Sequence, residues 1–80
     1  MLHIAKESNQ SSEKVLQTAI TYFGPKGLGL VLDEQSQDAL RFTGGGGHVL
    51  VQVAPLESGS EIDIQTQEFE YQAEKFLQEV

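Results

Sequence analysis

The sequence predicts an α+β fold, β-α-β-β-β-β-α, in which a five-stranded antiparallel sheet of order 1-5-4-3-2 carries both helices on one face. Three observations predict it. Five short stretches alternate apolar and polar residues with the period of two that a half-buried strand requires. Residues 15–23 and 69–80 instead repeat their apolar residues at helical spacing, which gathers them on one side of a helix. Chain direction then settles the order. Strand one runs up, the first helix down, and the remaining strands up, down, up, down through short connections, so the last strand is antiparallel to the first and can pair with it. Residues 1–80 form one domain.

Residues 2–6 set Leu2, Ile4 and Lys6 on one side and His3 and Ala5 on the other, which makes a short edge-like strand. Ser11 or Ser12 is the expected N-cap of the first helix, and Glu13 falls in the first turn, where the helix dipole favours a negative charge. Val15, Leu16, Ala19, Ile20 and Phe23 share one stripe. Gly24 suits the helix end and Pro25 cannot continue it, so residues 24–27 read as a stop and a tight turn. Strand two covers residues 28–33, with Leu28, Leu30 and Leu32 on one face and Val31 on the other, before the polar turn DEQSQD. Strand three covers 39–43 with Leu40 and Phe42 inward; strand four covers 48–54 with Val49, Val51 and Val53 inward, and Pro55 closes it. After a loop at LESGS, strand five covers 61–66 with Ile62 and Ile64 inward. The second helix is expected to start near Thr66 or Gln67 and to present Phe69, Ala73, Phe76, Leu77 and Val80 on one stripe. Tyr71 lies opposite that stripe and should be partly exposed.

A chain of 80 residues buries only about 60–65% of its unfolded surface, so the core must be thin. No cysteine is present, which excludes disulfides, thiolate metal sites and thiol nucleophiles. Packing or self-association must then supply the stability. The start of the chain lacks a basic segment followed by an apolar one, and no apolar run approaches spanning length, so no membrane association and a cytoplasmic location are expected. Twelve acids oppose five bases for a net charge of −7, and residues 57–80 hold seven of the acids against Lys75 alone. Nucleic acids are bound through cations that displace counterions, so this charge argues against a DNA or RNA partner. A basic partner is the functional reading of the acidic tail, beside the simpler reading of a solvated face.

The opening LHIAKESNQSSEKVLQTAITYF resembles the first strand and helix of the helix-grip superfamily, the architecture of START, Bet v 1 and polyketide-cyclase proteins, and EFEYQAEKFLQEV resembles its closing helix. The resemblance spans the chain at the level of topology and implies a small apolar ligand held between the last helix and a curved sheet, near Phe42, Phe69 and Phe76. The full superfamily has more strands and a second short helix around its cavity, and this chain has neither. YFGPKGLGL and RFTGGGGHVLVQV also resemble a small prokaryotic family of uncharacterised role, which assigns no site residues.

Gly44–Gly47 invites comparison with a phosphate loop, but phosphate loops open a helix and these glycines lead into the strand HVLVQV, so a hairpin is expected. The glycines of GPKGLG likewise follow a helix and open a strand, the reverse of a dinucleotide fingerprint. His3, Arg41 and His48 fall on the sheet face away from the helices, and an enzyme would need them to converge. Asp33, Glu34 and Asp38 are candidates for a carboxylate cluster around Arg41. No paired histidine spacing and no Gly-x-Ser-x-Gly occurs, so no metal, no cofactor and no catalytic residue is expected. Val31 and Leu50 mix with polar groups on that outer face, and with Tyr71 on the acidic helix they are the candidate interface residues. The expected function is that of a non-catalytic interaction protein, self-associating as a homodimer or binding a protein partner, with a small apolar ligand as the alternative.

Overall fold

The structure, a computed structural model, describes residues 2–80. Its elements are β1 (Leu2–Ser8), α1 (Ser12–Phe23), β2 (Val31–Gln35), β3 (Ala39–Gly44), β4 (Gly47–Leu56), β5 (Gly59–Gln67) and α2 (Glu70–Glu79). The strands form one antiparallel sheet in the order β1-β5-β4-β3-β2, as the count of chain directions predicts.

One core lies between the sheet and the helices. Val15, Ala19 and Phe23 of α1 and Ala73, Phe76 and Leu77 of α2 pack on Leu40, Phe42, Val49, Val51, Val53, Ile62 and Ile64. These are the alternate residues of β3, β4 and β5, so both helices cover the same face. Ser11 is the N-cap of α1, its hydroxyl accepting from the Lys14 amide at 3.2 Å.

β1 does more than close the sheet. Its core-side Lys6 ammonium donates to the Leu77 carbonyl, and the Ser8 hydroxyl donates to the Val80 carbonyl at 2.9 Å. α2 has no basic residue in its own last turn, so the first strand satisfies carbonyls that a helix end leaves open.

Several boundaries differ from the sequence expectation, and the larger shifts, in β2, at the β4–β5 turn and at the start of α2, have backbone reasons. β2 starts at Val31 rather than residue 28, because the amides of Leu28 and Leu30 are taken by the Tyr22 and Phe23 carbonyls at 2.9 and 3.1 Å. Leu28 is consequently 40% exposed, while Leu30 alone of that stretch enters the core. At its other end β2 includes Asp33, Glu34 and Gln35, which shortens the polar turn to residues 36–38.

β4 continues through Pro55 to Leu56, opposite Ser60 and Gly59. The Val53 amide points toward β3's side and donates to the Asp38 carbonyl, and Pro55 has the same orientation where β3 is no longer alongside. Its missing N–H therefore costs no ladder bond. The loop expected at residues 56–60 contracts to a two-residue turn, Glu57-Ser58.

α2 begins at Glu70 rather than near Thr66, because β5 remains paired through Gln67. Thr66 is fully buried and its hydroxyl donates to the His48 carbonyl at 2.8 Å. Glu68, expected in the first helical turn, instead takes a φ of 82° to turn the chain. The Glu70 carboxylate accepts from the Glu68 amide at 3.0 Å and supports this strained link.

The glycine run makes a hairpin. Gly44 pairs with Gly47, and Gly45 and Gly46 have φ of 56° and 83°, the two positive values of the tight turn that matches strand twist.

Candidate functional site

Phe42 and Phe76, expected to line a ligand pocket, are fully buried on either side of Phe23. The Phe23 ring centroid lies 5.6 Å from that of Phe42 and 5.2 Å from that of Phe76, so it occupies the space between them. Phe69 is only partly buried, at the position preceding α2. Phe23, Phe42 and Phe76 are packed core, and Phe69 packs at its margin.

Among the described residues no helix or strand covers the opposite sheet face. Register arranges its residues in rows across the strands. Glu34, Arg41, Leu50, Gln65 and His3 form one row, in the order β2, β3, β4, β5, β1. Val31, Thr43, His48 and Gln67 lie on one side of it. Ala39, Gln52, Asp63 and Ala5 lie on the other, followed by Ala54, Glu61 and Glu7.

His3, Arg41 and His48 share this face without converging. His3 and Arg41 are three strand spacings apart in one row, about 14 Å. Each is already engaged: His3 Nε2 is 2.6 Å from Asp63 Oδ1, and Arg41 donates to Asp33 at 2.7 Å with Glu34 at 3.6 Å. A β-bulge between Leu32 and Glu34 places both carboxylates beside one guanidinium. Asp38, grouped with them from sequence, instead pairs with the Ser36 hydroxyl at 3.3 Å.

Of the three candidate interface residues, Val31 and Leu50 share this face, while Tyr71 stands on α2 in the opposite layer, 67% exposed. Val31 is 62% exposed and Leu50 is half-buried. Leu50 borders a hollow of about 310 Å³ with Ala39, Arg41 and Glu34. Beside it a second hollow, of about 230 Å³, is lined by Asp38, Gln52, Ala54, Glu61 and Asp63. A larger open groove of about 560 Å³ lies on the other layer, between α1 and the β2–β3 turn, with Leu16, Ile20 and Leu40 in its walls.

Sequence reasoning did not find the acidic hollow, because Asp38, Glu61 and Asp63 meet only through the register of three strands. Residues 57–80 hold seven of the twelve acids, and the fold sets two of these, Glu61 and Asp63, on the bare face with Glu7, Asp33 and Glu34, beside Arg41, His3 and His48.

One pair there is repulsive. Glu7 and Glu61 are register partners, and like charges directly opposite destabilise a sheet. Glu61→Gln is therefore expected to stabilise the domain by roughly 0.2–0.5 kcal/mol, given solvent screening. Urea denaturation at low salt tests this; a lowered midpoint would contradict the assigned repulsion.

Both sheet edges are blunted against strand addition. β2 carries the bulge and two acids, and β1 turns the charged Lys6 inward. No helix among the described residues is long and apolar enough to cross a membrane. Comparisons with protein families, with curated proteins and with solved structures find no match to this chain.

Proposed function

We propose that this domain is a protein-interaction module, without catalytic chemistry of its own, that docks its partner on the bare sheet face. The observation that carries the reading is Leu50: an apolar side chain in the middle of a five-stranded face that neither helix covers, beside an open hollow of about 310 Å³. The separate engagement of His3 and Arg41 supports a binding role over a catalytic one. A second copy of this chain is one possible occupant, and it would add the buried surface that a short chain lacks.

Peptides selected from a random twelve-residue library on the immobilised domain test the site whatever its natural occupant. Leu50→Glu, checked for folding by circular dichroism, is expected to weaken the selected peptides at least tenfold. In parallel, light scattering reads whether the 8.8 kDa chain doubles in mass and whether Leu50→Glu reverses it. Selected peptides that bind both proteins equally, with a mass that the substitution leaves unchanged, would remove the face from consideration.

A further inference from the structure

Resting on that reading, we infer that the occupant of the sheet face is a basic polypeptide segment, one that sets an apolar side chain beside Leu50 and a lysine or arginine in the neighbouring acidic hollow. Two features select it. The first is the pairing of hollows: one contains Leu50 and Ala39, the other is walled by the carboxylates of Asp38, Glu61 and Asp63 and has no cation in its lining. Leu50 and Gln52, which belong to the two hollows, are successive outward residues of β4, about 7 Å apart. An extended peptide places its residues i and i+2 at that same separation, so a spacing of two to four residues between the apolar and the basic side chain fits both.

The second feature is the sorting of charge between the layers. Lys14 and Lys75 belong to α1 and α2, Lys26 to the turn after α1, and Lys6 is turned toward the end of α2. Arg41 is the one lysine or arginine on the sheet face, where Asp33 and Glu34 already flank it, and the histidines His3 and His48 share that face with it. Five carboxylates against this guanidinium leave the face acidic whichever way it is approached. A second copy laid face to face would bring one acidic surface onto another, and like-charge juxtaposition is how interfaces reject wrong partners. A basic segment instead places a cation near the opposed Glu7 and Glu61. The facing carboxylates of Glu7 and Glu61 are thus left for the partner to neutralise, whereas Asp63 already contacts His3.

Three synthetic twelve-residue peptides with one central leucine test this, identical except that the residues two and four places after the leucine are lysine, glutamine or glutamate. Each is titrated into the isotope-labelled full chain at 20 and 150 mM salt, with binding read from amide shifts. The lysine peptide is expected to bind at least tenfold more tightly than the glutamate peptide at 20 mM salt, moving the amides of Leu50, Gln52 and Glu61, with a smaller margin at 150 mM. Asp38→Lys combined with Glu61→Lys is expected to reverse the order; if that pair fails to fold, Asp38→Asn with Glu61→Gln is expected to abolish the margin. Peptides that shift the Leu50 amide with no charge preference would overturn the basic partner and leave the docking face standing. A chain dimer that Leu50→Glu dissociates would also keep the face but give it to a second copy. Shifts confined to residues off this face would overturn both.

Discussion

Phe23→Ala is expected to bring the domain to the edge of unfolding at 25 °C. The ring has no solvent exposure and bridges three elements, lying at the end of α1 between Phe42 of β3 and Phe76 of α2. Truncating a buried phenylalanine costs about 3–5 kcal/mol, because the lost transfer energy is joined by the cavity left behind. A domain of this length has a total stability of only about 4–12 kcal/mol. The loss is therefore a large part of the whole. Urea denaturation should show a strongly reduced midpoint for Phe23→Ala, and Tyr71→Ala, at a position 67% exposed, should stay within about 0.5 kcal/mol of the parent. A Phe23→Ala loss below about 1 kcal/mol would mean that the three rings do not form one packed unit.

Gly59→Ala is expected to cost at least about 2 kcal/mol, for a reason that apolar area does not measure. Gly59 opens β5 with φ of 141°, a backbone shape that side-chain-bearing residues rarely adopt. A Cβ added there would also stand 2.0 Å from the Ser8 carbonyl oxygen. That atom is backbone, so it cannot rotate aside. Either the hairpin reshapes or the end of β1 moves away from β5, and Ser8 would then lose its bond to the Val80 carbonyl. Hydrogen exchange checks the mechanism: in Gly59→Ala, the amides of β1 and of the last turn of α2 should lose protection more than those of β3. Unchanged protection and an unchanged midpoint would show that the close approach is relieved without cost.

The strand order was legible because it follows from parity. Once the connections after α1 are short, the last strand must run against the first, and Ile4 and Ile64 then share the core face. Errors arose where one backbone feature overrode a good side-chain pattern. Leu28, Leu30 and Leu32 alternate as a strand should, yet the end of α1 captures the amides of Leu28 and Leu30. Thr66 and Gln67 look like the start of a helix, but only three-dimensional pairing with β1 and β4 reveals that they finish a strand.

The site was half legible. Alternation correctly placed Val31, Leu50, His3, Arg41 and His48 on one face, whereas their spacing across it depends on register, which no local pattern contains. Phe42 and Phe76, expected beside a ligand, are instead each packed against the Phe23 ring. A stripe analysis puts Phe23 in the core without saying that its ring sits between those two.

The bonds from β1 to the end of α2 also have a consequence for the order in which the chain can assemble. Lys6 and Leu77 are 71 residues apart, so their contact closes a loop of nearly the whole chain. During synthesis β1 emerges before the other described elements, yet it has neither neighbour until β5 and α2 have left the ribosome. The β2–β5 meander has mostly local contacts and can form before that, whereas docking β1 on β5 and on the end of α2 closes loops of 52 to 72 residues. Of the described elements, β1 is thus made before the others and docks after them.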